Sequence, residues 1–209
     1  MKKDLTQNIT TEQLILATAE KLFLEKGYSL TSTTEIAKIA GCNQALVHYY
    51  FRTKDRLFDA VFEKHSTIFI SSLLQRMEDH LSFEEKVRKK VEIHFDVMMA
   101  NPGLPFLFFN EINTSPSRLN QLKVQIGNSE NSFISQIESE LNLEIEKGAI
   151  RPMTATGLLL TILSMNLGLF IAGPFLKTIT TMQDSEYQNL MDHRKRENTT
   201  VILKSLRPE

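Results

Sequence analysis

TSTTEIAKIAGCNQALVHYYFRTK, residues 31–54, is the stretch on which the reading of the whole chain turns. Ser32 or Thr33 can accept a hydrogen bond from the free N–H groups of an opening helical turn, and Glu35 places negative charge where the helix dipole favours it. Ile36, Ile39 and Ala40 fall at i, i+3 and i+4, an apolar stripe, and Gly41 follows as the residue best suited to end the helix in a left-handed conformation. After the turn Gly41-Cys42-Asn43, a second helix is expected from Gln44 with Asn43 as its N-cap. Its residues divide by face: Val47, Tyr50 and Phe51 point one way, whereas Gln44, Ala45, His48 and Tyr49 share the other. Thr53 then caps a further helix that starts at Lys54.

Two short helices around a glycine turn, the second with a polar and aromatic outer face, form the arrangement that sets its second member in the major groove of DNA. Gln44 suits a base contact, because an amide offers a donor and an acceptor to adenine, and Ala45 and Leu46 can touch a thymine methyl. His48, Tyr49, Thr33, Thr34 and Lys54 are placed for phosphates, which set register without reading sequence. Tyr50 completes the expected DNA-binding set.

The run from Ile15 to Leu57 resembles the DNA-binding domain of the tetracycline-repressor (TetR) family of bacterial transcription regulators. The resemblance is carried by Ala17, Leu22-Phe23, Gly27-Tyr28, Thr31-Ser32, Glu35-Ile36-Ala37, Ala40-Gly41, Tyr50-Phe51, Lys54 and Leu57. It implies a homodimer that binds a palindromic operator in double-stranded DNA, usually as a repressor released by a small-molecule effector. Three positions depart from the family pattern: His48 replaces a phosphate-contacting tyrosine, and Ala45 and Leu46 replace glycine or proline and threonine. An all-α fold of about nine helices follows, with a three-helix helix-turn-helix head over residues 1–56 (recognition motif about 33–52) and a helical effector-binding and dimerisation domain over 57–209.

Composition agrees with a water-soluble protein of one or two domains: 209 residues, 42% hydrophobic and 23% charged, with net charge −1. Residues 33–56 carry a local charge of +2, which predicts modest non-specific affinity for DNA. Cys42 is the single cysteine, so no internal disulfide forms. The polar residues that follow Lys2 and Lys3 lack the apolar core of a signal peptide, and the cytoplasm is the expected compartment. Residues up to Asn8 read as a polar arm.

Outward from the head, Thr10 and Gln13 form a capping box for a first helix from about Thr11 to Lys26, which buries Ile15, Ala19, Leu22 and Phe23 and stops at Gly27. A long helix is expected from Lys54 to about His80, and Ser82 with Glu85 starts another that reaches Ala100. Around the break at Asn101-Pro102-Gly103 lies the densest aromatic and thioether region of the chain. Phe69, Leu73, His94, Phe95, Met98, Met99, Phe106 and Phe109, with Met165, are the expected ligand-binding residues for an apolar effector, and they serve equally as core filling. Ser115-Pro116 opens a helix to about Lys147 with Leu119, Leu122, Ile126 and Leu141 inward and a possible interruption between Gly127 and Asn131.

Residues 152–176 contain no charge and are long enough to cross a bilayer, but Thr154, Thr156, Thr161, Ser164 and Asn166 break the stretch, and no membrane partner is expected. Ser164, Gly168 and Ala172 form a small-residue stripe for a close helix pair. With Met191, Val201 and Ile202 of the last helix they are the expected dimer interface, which holds two reading helices about 34–36 Å apart. No Ser/His/Asp arrangement, phosphate-cradling glycine loop or metal-ligand spacing is present, so neither an enzyme nor a cofactor is expected. The alternative reading is a helical regulator or adaptor controlled by a protein partner.

Overall fold

The computed structural model describes residues 10–208 except residue 76, and gives the backbone alone for residues 125–132. The polar arm before Thr10 and the inward side chain expected at Ile126 lie outside the described residues. Nine helices and no strand occur among the described residues: α1 (Thr11–Leu30), α2 (Thr33–Ile39), α3 (Gln44–Phe51), α4 (Lys54–Leu74), α5 (Phe83–Ala100), α6 (Leu104–Thr114), α7 (Pro116–Glu146), α8 (Ala155–Ile179) and α9 (Asp184–Ser205). They form two compact units, Met1–Ser66 and Thr67–Glu209.

In the first unit the start and stop signals act as the sequence suggests. Thr10 Oγ1 accepts from Gln13 N–H, and the Gln13 side chain accepts from the Thr10 N–H, closing the capping box. Gly27 leaves the helical conformation at φ 75°, so the last residues of α1 follow a kink. Ile15, Ala19, Leu22 and Phe23 of α1 meet Ile36 and Ala37 of α2, Val47 of α3 and Phe58 of α4 in one core. The Phe23 and Phe58 rings pack edge to face at 4.8 Å. Ile39 is a correction: it is exposed, and Ala37 instead joins Ile36 and Ala40 in the buried stripe.

The second unit packs α5 and α9 against α8, with α6 and α7 alongside. Phe69 stacks on Phe108 at 4.4 Å, and Phe95 meets Phe170 edge-on at 5.2 Å. Among the described residues α8 alone is long and apolar enough to cross a membrane, with mean hydropathy 1.9. Its inner face, Leu158, Ile162, Asn166 and Phe170, is packed inside this unit. Its outer face exposes Leu160, Ser164, Gly168, Ile171, Ala172, Phe175 and Ile179 in helical register.

Two expectations about helix length change. Helix α4 ends at Leu74 rather than near His80, because the Lys90 ammonium donates to the Leu73 and Gln75 carbonyls at 2.6 and 2.8 Å and so satisfies the acceptors left at its C-terminus. Helix α7 runs unbroken through residues 127–131. Leu119, expected inward, is about one-third exposed, at 36%.

Candidate nucleic-acid interface

The α2–α3 pair is built from local hydrogen bonds. Ser32 Oγ accepts from Glu35 N–H at 3.1 Å and Asn43 Oδ1 from Leu46 N–H at 2.9 Å, so each short helix is capped by its own side chain. Gly41 takes φ 69° in the turn between them, a conformation that disfavours any residue with a β-carbon. Val47 anchors α3 in the core, which leaves Gln44, Ala45, His48 and Tyr49 facing water, Tyr49 with 66% of its surface exposed. Tyr50 meets Tyr49 edge-on at 5.2 Å on the flank of this face. Thr34 is exposed, and Thr33, Leu46 and Lys54 are half-exposed.

A polar chain runs across the face. Gln44 Nε2 donates to Thr33 Oγ1 at 3.1 Å and lies 3.3 Å from His48 Nε2, while His48 Nδ1 lies 3.1 Å from the Arg52 carbonyl. A carbonyl only accepts, so Nδ1 carries the proton and Nε2 accepts from the Gln44 amide. Both amide protons of Gln44 are therefore engaged. To grip adenine through both amide atoms, Gln44 must exchange one of these bonds for the base.

The junction after α3 is tight. Thr53 N–H donates to the Phe51 carbonyl at 2.6 Å around Arg52, whose φ 62°, ψ −54° describe a three-residue γ-turn of the strained kind. Thr53 Oγ1 accepts from Arg56 N–H at 3.2 Å and opens α4. Lys54 sits 4.1 Å above the Tyr28 ring, and the Tyr28 hydroxyl donates to Asp55 at 2.7 Å. Deeper in this unit, His65 is buried with Nε2 2.9 Å from Glu20, which also pairs with Lys64. Burial pushes His65 below its ordinary pKa despite that carboxylate. Burial opposes ionisation of Glu20, yet Lys64 and His65 outweigh it and hold the carboxyl below the usual range.

Residues 15–61 match the family of bacterial regulatory proteins described as tetR. These residues are a TetR-type helix-turn-helix domain. The HTH-type transcriptional activator FasR of Mycolicibacterium smegmatis is 27% identical over 147 residues, 70% of this chain and 65% of FasR. The HTH-type regulator YhgD of Bacillus subtilis is 28% identical over 151 residues, 69% of this chain and 74% of that one. A crystal structure of a tetR-family regulatory protein from Rhodococcus RHA1 shares the fold at TM-score 0.70 and 16% identity, covering 96% of this chain and 98% of that one. The α2–α3 pair described above is the helix-turn-helix of that domain.

The remaining expected site residues lie in the second unit. Phe95 and Met98 are sealed in the core, and Phe69, Leu73 and Phe109 pack into or beside it. Phe106 is exposed, with 63% of its surface in water. His94 is fully buried and held by an amide relay: Asn166 Nδ2 lies 3.2 Å from its Nδ1 and donates to Val91 O, and Asn198 Nδ2 donates to Asn166 Oδ1 and to Met165 O. Burial, reinforced by the charge of Lys90, pushes His94 down to about 4. Met99 borders an open concavity of ≈ 300 Å³ with Phe170, Tyr187 and Met191. Met191 and Ile202 are corrected as interface residues, since both are buried against their own chain, whereas Ser164, Gly168, Ala172 and Val201 are exposed.

A different cavity, ≈ 40 Å³, opens between the segment after α4 and helices α5, α7 and α8. Phe83, Phe133, Leu158 and Ile162 supply apolar walls, and Lys86, Lys90 and Glu140 supply charge. The helical registers of the sequence carry a signal for these walls, but only packing shows that Lys90 turns inward rather than to water.

Proposed function

We propose that the protein is a cytoplasmic, homodimeric repressor that reads a palindromic operator through α3 and releases it when a small, largely apolar ligand binds in the second unit. The observation that carries this reading is the outer face of α3, where Gln44, Ala45, His48 and Tyr49 stand in water on a helix anchored from behind by Val47. Gln44, with Ala45 and Leu46, supplies base recognition; Thr33, Thr34, His48, Tyr49, Tyr50 and Lys54 supply phosphate contacts. The exposed α8 stripe from Leu160 to Ile179 supports pairing with a second copy, because a water-facing apolar row of this length favours burial. Release follows if the ligand prefers the conformation in which the paired heads no longer match the groove spacing.

The test is an electrophoretic shift on the DNA flanking the protein's own gene. The wild-type chain shifts it specifically, Gln44→Ala and Tyr49→Ala weaken the shift, and apolar compounds that bind the chain release it. Absence of a specific shift refutes the DNA reading, and a tightly bound compound that leaves DNA affinity unchanged refutes the release. Activation is the second reading, favoured by the name of FasR, and the sign of a reporter driven from that DNA separates the two.

A further inference from the structure

Lys90 is only 7% exposed. Two of its three ammonium protons go to the Leu73 and Gln75 carbonyls, and the remaining direction faces the Phe133 ring with Nζ 4.6 Å from the centroid. A ring face is a weak partner for a buried cation compared with an anion. The nearby carboxylate, Glu140, is shared: it pairs with Lys86 at 3.1 Å and accepts from Gln136 Nε2 at 3.1 Å. Among the described residues the cavity wall thus carries two cations and one anion, an excess of one positive charge surrounded by apolar side chains. Burial, only partly offset by Glu140, pushes Lys90 down to about 8, as expected for an under-compensated ammonium.

Resting on the ligand-controlled reading above, we infer that the cavity takes an amphiphile with one anionic head, a carboxylate on an unbranched apolar chain, and that Lys90 binds that head while Phe133, Leu158 and Ile162 line the chain's path. A neutral apolar ligand leaves the excess charge uncompensated, and a cationic one adds to it. The carboxylate replaces the Phe133 ring as third partner and competes with the carbonyls that end α4. At ≈ 40 Å³ the space is far below the roughly 300–1,000 Å³ of ordinary ligand pockets, so occupation moves its walls. Lys90, bonded both to the cavity and to the end of α4, is among the groups that shift.

The experiment measures binding of dodecanoate, dodecanol and dodecyltrimethylammonium to the full chain by calorimetry, below their micelle concentrations, alongside the DNA shift. Dodecanoate binds the wild type at least about tenfold tighter than either of the others, the margin of one charge-assisted hydrogen bond. Lys90→Met brings dodecanoate and dodecanol to within about twofold, Lys90→Arg keeps the preference, and Ile162→Trp, which fills the cavity without touching the charge, weakens all three. Equal or weaker binding of dodecanoate by the wild type overturns the inference without needing a variant. So does a preference that survives in Lys90→Met, or affinities indifferent to Ile162→Trp. Dodecanol or the cation releasing DNA with dodecanoate inert leaves ligand control standing and removes the anionic head. Dodecanoate bound through Lys90 with DNA affinity unchanged upholds the head-group assignment and removes the release.

Discussion

Thr33, Gln44 and His48 of the first unit stand in water and satisfy one another across a helix face, whereas His94, Asn166 and Asn198 of the second form a comparable chain sealed from water. In the open chain each bond can be exchanged for one to solvent or to a base at little net cost, which suits a surface that must reform around DNA. In the closed chain no water replaces a lost partner, so each amide is committed to one geometry. His94 Nε2 and Asn198 Oδ1 have no partner even so, which makes the buried relay the less tolerant of the two. The difference also separates the two buried histidines: His65 keeps the Glu20 carboxylate beside it, while His94 has amides and the like charge of Lys90.

Removing the centre of the closed chain has the largest expected effect. Asn166→Ala leaves His94 Nδ1 and one of the two Asn198 Nδ2 protons without a partner, opens a cavity in the core, and lowers stability by about 3 kcal/mol in urea unfolding. A loss under about 1 kcal/mol would show that the second unit relaxes as readily as the α3 face.

Acid comes next. Folded His94 takes up a proton only near pH 4, against an ordinary 6.5. Between those values the unfolded chain holds the extra proton, so this contribution is complete above 6.5 and falls as pH drops through the window. From pH 7 to 5 the loss from His94 is about 2 kcal/mol, and His94→Gln removes that share while His65 retains a slope of the same sign. A pH dependence identical in wild type and His94→Gln would place the acid sensitivity in the head instead.

In the open chain, Gln44→Ala costs about 1–3 kcal/mol on the operator and far less on random DNA, while Lys54→Ala weakens both alike, as competition binding at fixed salt would show. Parallel losses for both variants contradict the division into base and phosphate contacts. The smallest effect is at the γ-turn. Arg52→Gly relieves the left-handed backbone and raises the melting free energy of the chain by up to about 1 kcal/mol. A decrease would mean that the Arg52 side chain contributes more than its backbone costs.

The same contrast between local and distant partners decides what is legible in the sequence. Caps and turns depend on residues three or four apart, so Thr10/Gln13, Ser32, Asn43, Thr53 and Ser82 are recognisable from the order of residues alone, and with them the head and its exposed face. The end of α4 is not, because its C-terminal acceptors are satisfied by Lys90, 15 to 17 residues further on. Ile39 fits a helical stripe yet faces water, since the arc that α2 buries runs from Ile36 through Ala40 to Ala37 and leaves Ile39 on the far side of Ile36. The cavity escapes a sequence reading for the same reason as the end of α4: aromatic density around Phe106 suggests a pocket, but a pocket is defined by what four segments leave unfilled, which no local pattern records. Met191 and Ile202 fit a subunit interface by their spacing and are covered by their own chain instead, because an apolar helical face does not state which helix lies over it.

The γ-turn at Arg52 leaves no slack between α3 and α4. Only Arg52 and Thr53 separate the two helices, one fixed at an unusual torsion and the other tied at its backbone to Phe51 and at its hydroxyl to Arg56. A roll of the first turn of α4 is therefore passed to α3 as from a crank to its shaft, with no loop in between to absorb the angle.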